Sequence, residues 1–276
     1  MDVSQGPGRM IFLSVMFIAL AAALYFLYIW LNGSGDVQDY VLYTSPNSGL
    51  KANDTSATTY STANVPGLYA GGDYSVSTWI YVNDWTKKSG LNKPFLTLSG
   101  GSSGDASFKT MVMYLGAHVN KLGIRISQDT SPTQYKITSG TSSQMTDLVA
   151  ASGIYSDASV NTKCDISSIN LQKWVNITVS MSGRTVDVYI DGKLSRSCVL
   201  DGMYLVDGDK PTLTLGGPDG FGGLIGQTRA ANYAYAPDQV YKYYMAGPFD
   251  TSIWGYLSRV FGSFSVDVKA KVDIGN

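Results

Sequence analysis

The stretch from Trp174 to Gly192, WVNITVSMSGRTVDVYIDG, constrains the fold more than any other part of the chain. Val175, Ile177, Val179 and Met181 fall on alternate positions, with Asn176, Thr178 and Ser180 between them. That period of two belongs to a strand with one buried face. Ser182-Gly183 supplies a turn, and Val186, Val188 and Ile190 repeat the alternation. Asp191-Gly192 closes the second run with residues that tolerate positive φ. The spacing predicts an antiparallel hairpin, half buried against a second layer. The composition agrees: the chain has no Glu, so its 21 acidic residues are all Asp, while it holds 19 Tyr. Loss of a strong helix former and abundance of a strand former favour an all-β body.

Three motifs, this hairpin and one on either side of it, carry a family resemblance. The Trp-led strand, Gly turn and Tyr189-Ile-Asp-Gly-Lys193 ending resemble the central hairpin of laminin-G-like domains. These domains belong to the concanavalin A-like lectin/glucanase superfamily. Tyr74 to Trp85, with its Ser-Thr-Trp79 centre, resembles the family's early strand. Thr212 to Gly217, Phe221 to Gly226 and Ala236 to Tyr244 resemble its closing strands and short helix. The likeness covers roughly residues 37 to 248 and implies a two-sheet antiparallel jelly-roll sandwich. It implies no activity, because a fold hosts many functions.

The chain opens with a short tail, residues 1–9, and then runs from Met10 to Leu31 without a charge. As a helix those residues would span about 33 Å, enough for a bilayer core. Tyr25, Tyr28 and Trp30 gather at one end, where an interfacial aromatic belt lies. A cleaved signal peptide has a shorter apolar run and a small-residue cleavage site. The expectation is therefore a retained single-pass transmembrane helix over 10–31, followed by a hinge at 32–36. Arg9 is the tail's one cation, which places the N-terminus on the cytosolic side.

Within the body, Val37 to Tyr43, Lys93 to Ser99, Thr110 to Leu115 and Lys121 to Ser127 read as strands. Thr44 to Gly72 and Ser139 to Asn161 are polar and read as a surface loop and an insertion over one rim. After Pro237, Val240, Tyr241, Tyr244 and Met245 mark one face of a helix that Gly247-Pro248 stops. Residues 249–276 continue beyond the family domain. Ile253, Trp254, Leu257, Val260, Phe261 and Phe264 fall at helical spacing, and Val266 to Ile274 alternates. This amphipathic helix and strand would close the same sandwich, lie on the membrane or dock a partner, with Trp254, Leu257 and Phe261 as the contact.

Cys164 and Cys198 bracket the central hairpin. In an oxidising compartment they would close a loop of 34 residues, worth about 3–4 kcal/mol; otherwise they are two reduced thiols. A zinc site needs more ligands than one His, His118, which reads as a strand residue. Glycoside hydrolysis needs two carboxylates at a set separation. The superfamily's glucanases supply these as paired glutamates, which this chain lacks, and no Gly-x-Ser-x-Gly accompanies His118. The expectation is a protein that is not an enzyme.

Many relatives bind glycans or proteins through a rim calcium ion. Asp207, Asp209 and Asp219 are the oxygen ligands on offer, although short Asp-Gly loops are also ordinary turns. Gln227 stands where the family's closing strand often has an acid. Trp79 and Trp174 read as core residues, while Trp85 and the Tyr-rich loops could stack on sugar rings. Asn32, Asn53 and Asn176 head glycosylation triplets. A net charge of −1 gives no reason to expect nucleic acid. Two functions follow: a structural or docking component of a membrane-containing assembly, or a glycan-binding lectin. The likeness to membrane-anchored jelly-roll proteins of large DNA viruses implies a minor capsid protein at a virion inner membrane as the concrete form of the first.

Overall fold

The computed structural model describes residues 7–32, 38–45, 48–61, 64–100, 108–130, 133–135, 137–138, 164–206 and 211–249. The chain forms two compact units, Met1–Val37 and Gln38–Asn276. The first contains helix α1 (Pro7–Asn32), 26 residues long. Its side chains are described from Phe12 to Leu27 and all are exposed, Phe17 to 73 % and Phe26 to 69 %. Among the described residues no helix is long and apolar enough to cross a membrane.

The second unit is a β-sandwich. Its strands begin with β1 (Asp39–Tyr43), β2 (Leu50–Lys51), β3 (Thr58–Tyr60), β4 (Asp73–Asp84) and β5 (Lys93–Gly100). Next come β6 (Phe108–Lys109), β7 (Met111–Leu115), β8 (Leu122–Ile126), β9 (Gln128–Thr130), β10 (Thr133–Tyr135) and β11 (Ile137–Thr138). The rest are β12 (Trp174–Ser182), β13 (Thr185–Ile190), β14 (Lys193–Val199), β15 (Met203–Tyr204), β16 (Pro211–Leu215) and β17 (Gly222–Ala231). Helix α2 (Pro237–Ala246) follows. One sheet has seven strands in the order β1-β17-β4-β12-β13-β14, with β2 also on β17. The other has five, β3-β16-β5-β7-β8. The named ladders in both are antiparallel.

The core lies between the sheets. Ile80, Ile177 and Val188 from one meet Leu96, Met113 and Leu213 from the other, and Phe95 packs edge-on against Phe221 at 5.7 Å. The central hairpin pairs from Ile177↔Ile190 to Ser182↔Thr185. Gly183 turns it at φ 57, and Asp191 and Gly192 turn the next hairpin at φ 50 and 75.

Several expectations need correction. The polar face of β12 is buried as fully as the apolar one, with Asn176 and Thr178 at 0 % exposure. The reason is that residues 233–249, including α2, lie across the outer face of the seven-stranded sheet. Thr44 to Gly72 is not one surface loop: it holds β2 and β3, and Ala52, Val65 and Leu68 enter the core. His118 is exposed in the bend after β7, not in a strand. Helix α2 turns Val240 inward with Tyr243 beside it, while Tyr241 and Met245 face outward. The insertion 139–161 and the extension 250–276 lie outside the described residues.

Candidate functional site

Three clusters concentrate the polar chemistry of the sandwich. The first is on the outer face of the seven-stranded sheet. Cross-strand partners Ser75 and Ser180, Ser77 and Thr178, and Trp79 and Asn176 share that face. Thr178 Oγ1 and Asn176 Nδ2 both reach Ser77 Oγ, at 2.8 and 3.2 Å. Ser75 Oγ donates to the Tyr233 carbonyl at 2.8 Å and accepts the Tyr235 amide at 2.9 Å. The hydroxyls thus sew the C-terminal segment onto the sheet, which satisfies polar groups that burial would otherwise penalise. The aromatics finish the cover: Trp79 stacks on Tyr244 at 5.6 Å, and Trp174 packs edge-on against Phe249 at 5.2 Å.

At the margin of this face stands Asp39, the first residue of β1. Its carboxylate accepts from Tyr243 Oη at 2.6 Å, Tyr233 Oη at 3.1 Å and Tyr235 Oη at 3.2 Å. Arg229 Nη1 lies 3.8 Å away, and its guanidinium stands 3.8 Å over the Tyr243 ring. Gln239 Nε2 donates to the Tyr243 hydroxyl at 2.7 Å. Burial pushes the Tyr235 and Tyr243 hydroxyls well above 10.0, and the negative charge of Asp39 adds to it. This carboxylate is already surrounded by donors, so it works as a clasp between the first strand and the C-terminal helix.

The second cluster lies at the rim where β5 begins. Lys93 is fully buried; its ammonium reaches the Gly116 carbonyl at 3.1 Å and lies 4.5 Å over the Trp85 ring. Burial pulls its pKa below the usual 10.5. Asn92 Oδ1 accepts the Ala117 amide at 3.0 Å, tying the loop before β5 to the β7–β8 turn. Elsewhere on the surface, Asp219 pairs with Lys88 at 3.3 Å.

The third covers the outer edge of the five-stranded sheet. Asp165 accepts from Arg125, from Lys121 Nζ at 2.6 Å and from the Ile124 amide at 3.1 Å. Ile166 bridges to Leu122, so this short segment closes the edge strand β8. Closed edges do not recruit stray strands. Cys164, next in the chain, forms a disulfide with Cys198 on β14, Cα–Cα 5.5 Å. The bond joins an edge of one sheet to an edge of the other.

The structure keeps the sequence-derived site residues apart. Asp219 has a lysine for its neighbour, while Asp207 and Asp209 lie outside the described residues. Among the described residues no group of three or more His, Cys, Asp or Glu could hold a metal. Trp254, Leu257 and Phe261 also lie outside the described residues, as does the side chain of Asn32. Asn53 is half-buried in a turn. Asn176 is a correction: its amide is at 0 % exposure and bonded to Ser77 inside the covered face, so no glycan fits on it. Trp79 and Trp174 pack beneath the C-terminal segment rather than between the sheets. Trp85 is half-buried against the core, with the Lys93 ammonium over its ring. The Asp39 clasp and the Asp165 cluster were missed, because their members are far apart in sequence.

A family model described as "Concanavalin A-like lectin/glucanases superfamily" in its laminin-G form matches residues 53–241, more than half of the chain. The protein belongs to that superfamily. No curated protein matches it significantly. Among solved structures, Trypanosoma rangeli sialidase in complex with 2,3-difluorosialic acid is 11 % identical, covering 72 % of this chain and 27 % of its own, with a TM-score of 0.44. The binding domain of Paraclostridial Mosquitocidal Protein 1 is 15 % identical, covering 76 % of this chain and 45 % of its own, with a TM-score of 0.42. The chain therefore spans less than half the length of either. Likenesses this remote assign no activity.

Proposed function

We propose that the protein is a membrane-anchored, non-catalytic laminin-G-like module that acts by docking to protein neighbours. Residues 10–31 of α1 are the anchor, and the sandwich is the working part. One observation carries the docking reading. The tryptophans and the one described rim aspartate singled out for a sugar or calcium make internal contacts: Trp79 with Tyr244, Trp174 with Phe249, Trp85 with Lys93, Asp219 with Lys88. That use of the aromatic and acidic groups supports a structural component over a lectin. The Cys164–Cys198 disulfide supports placing the sandwich in an oxidising space, with the N-terminal tail on the cytosolic side. A minor capsid or virion membrane protein is the concrete form of this reading.

Cross-linking of the full chain in its native membrane, followed by mass spectrometry, tests it. Protein neighbours linked to the sandwich are expected, with the chain resisting carbonate extraction. Absence of protein links, or a mature chain beginning near residue 32, overturns the reading. A second reading rests on a different surface. Thr59, Thr214 and Thr97 are cross-strand partners in one row of the five-stranded sheet, with the first two hydroxyls 3.2 Å apart. A row of hydroxyls suits a polyhydroxylated ligand. Glycan binding on an array that Thr59→Val and Thr214→Val abolish would establish this lectin function instead.

A further inference from the structure

Three loops share one end of the sheets. Residues 85–92 join β4 to β5, 116–121 join β7 to β8, and 167–173 lead into β12. The register places them together: Trp174 pairs with Tyr81, while Lys93 and Leu122 both pair with Leu115. Side chains then tie loop to loop. Asn92 Oδ1 accepts the Ala117 amide, and Asn120 Nδ2 donates to the Ile169 carbonyl. Main-chain bonds hold each loop in shape, from the Leu91 amide to the Lys88 carbonyl, from Lys121 to Val119, and from Gln172 to Val82.

Each loop roots one apolar residue and turns a second outward. Trp85, Ala117 and Ile169 are the roots, the first half-buried against the core and the others buried. Leu91, Val119 and Leu171 are the tips, exposed to 42 %, 47 % and 39 %. One exposed aliphatic residue needs no explanation. Three on tethered, hydrogen-bonded loops, where polar residues would serve the turns as well, are a patterned surface.

The charge around the tips has one sign. Residues 85–92, 116–121 and 167–173 contain Lys87, Lys88, Lys121 and Lys173 and no acid. Lys121 is held by Asp165 at 2.6 Å. Lys88 and Lys173 meet Asp219 and Asp191 at 3.3 Å, with their side chains 40 % and 51 % exposed. Pairs this open are worth little and exchange readily for another anion. Asp84, close to Lys87 in the chain, accepts from the Thr86 amide and hydroxyl at 2.9 and 2.6 Å. Aliphatic tips ringed by lysines suit the boundary of an anionic bilayer: the tips enter among the acyl chains, and the ammonium groups stay at the phosphates.

We infer that this rim is a lipid-docking surface, with Leu91, Val119 and Leu171 entering an anionic bilayer and Lys87, Lys88 and Lys173 binding its headgroups. It is a surface of the sandwich itself, so the inference stands apart from both the α1 anchor and the docking to protein neighbours.

The full chain held in phosphatidylcholine nanodiscs, which give α1 a bilayer of its own, is mixed with sedimentable vesicles. Vesicles containing phosphatidylserine should capture it and slow hydrogen exchange in 86–91 and 117–120, with β12 unchanged; phosphatidylcholine vesicles should do neither. Leu91→Ser with Val119→Ser should weaken capture roughly tenfold, and so should Lys87→Gln with Lys88→Gln. Leu194→Ser, an exposed site on β14, should leave capture unchanged. Unaltered exchange in β12 shows that each variant is folded. No capture by phosphatidylserine vesicles overturns the inference, as does capture that neither double variant weakens. Equal capture by phosphatidylcholine vesicles also overturns it, and so does slowed loop exchange with soluble glycerophosphoserine alone, which would mean a headgroup pocket rather than a surface.

Discussion

The two faces of the seven-stranded sheet are buried to the same degree by opposite chemistry. The inner face of β12 presents Val175, Ile177, Val179 and Met181 to the other sheet. Its outer face presents Asn176, Thr178 and Ser180, equally sealed, to residues 233–249. The inner face is held by area removed from water. The outer one is held by hydrogen bonds that fix where the cover sits, with Trp79 and Trp174 as its aromatic pegs. Apolar contact is tolerant of small shifts, whereas a hydroxyl ladder has one register. The contrast teaches that a half-polar strand does not imply a half-exposed one.

The strongest test removes one large aromatic from each face. Phe221→Ala in the inner core should cost about 3–5 kcal/mol in denaturant unfolding. Trp79→Ala on the outer face should cost a comparable amount if the cover is a second core; a loss below ~1 kcal/mol would reduce it to surface decoration. Next in size is Asp39→Asn, which weakens the clasp on three tyrosines and Arg229. About 1–3 kcal/mol is expected, with faster hydrogen exchange in 233–246 and little change in β13. Removing a single outer hydroxyl with Thr178→Val should cost about 1 kcal/mol, measured in the same way. The smallest effect belongs to the surface pair, where Lys88→Ala breaks the half-exposed contact with Asp219; it should cost less than about 1 kcal/mol and lose even that in high salt.

Alkaline pH addresses both faces together. Tyr74 and Tyr204 near the core and Tyr235 and Tyr243 on the outer face all have hydroxyls raised above 10.0, chiefly by burial. A raised folded pKa means that the unfolded chain releases the proton first. The stability these groups contribute is therefore complete below pH 10 and lost as pH rises above it. Tyrosinate absorbance should show these four titrating only as the sandwich unfolds, after the exposed tyrosines. If Tyr243→Phe leaves the alkaline midpoint unmoved, the outer face does not share in that transition.

The hairpin β12–β13 was legible because its signal is local: a period of two, then a Gly turn, then a period of two. The early and closing strands were legible through their resemblance to laminin-G-like domains, and the helix after Pro237 through its local start and stop signals. The Asp39 clasp was not, since it joins residues 194 to 204 apart in the chain and no periodicity marks such pairs. Burial of the outer face was also hidden, because Asn176, Thr178 and Ser180 carry the pattern of solvent-facing residues. Ala52, Val65 and Leu68 reach the core as single apolar residues in a polar stretch, too few to show a period. His118 was misplaced because the apolar run that marks β7 stops at Leu115.

The Cys164–Cys198 bond has a consequence for the covalent topology. It encloses β12, β13 and β14 in one ring, so a single peptide cut anywhere between 164 and 198 leaves one covalent molecule. A cut elsewhere, for instance in the polar run 139–161, yields two chains. On a denaturing gel the two kinds of nick would differ: the first would be invisible until a reductant is added, the second visible from the start.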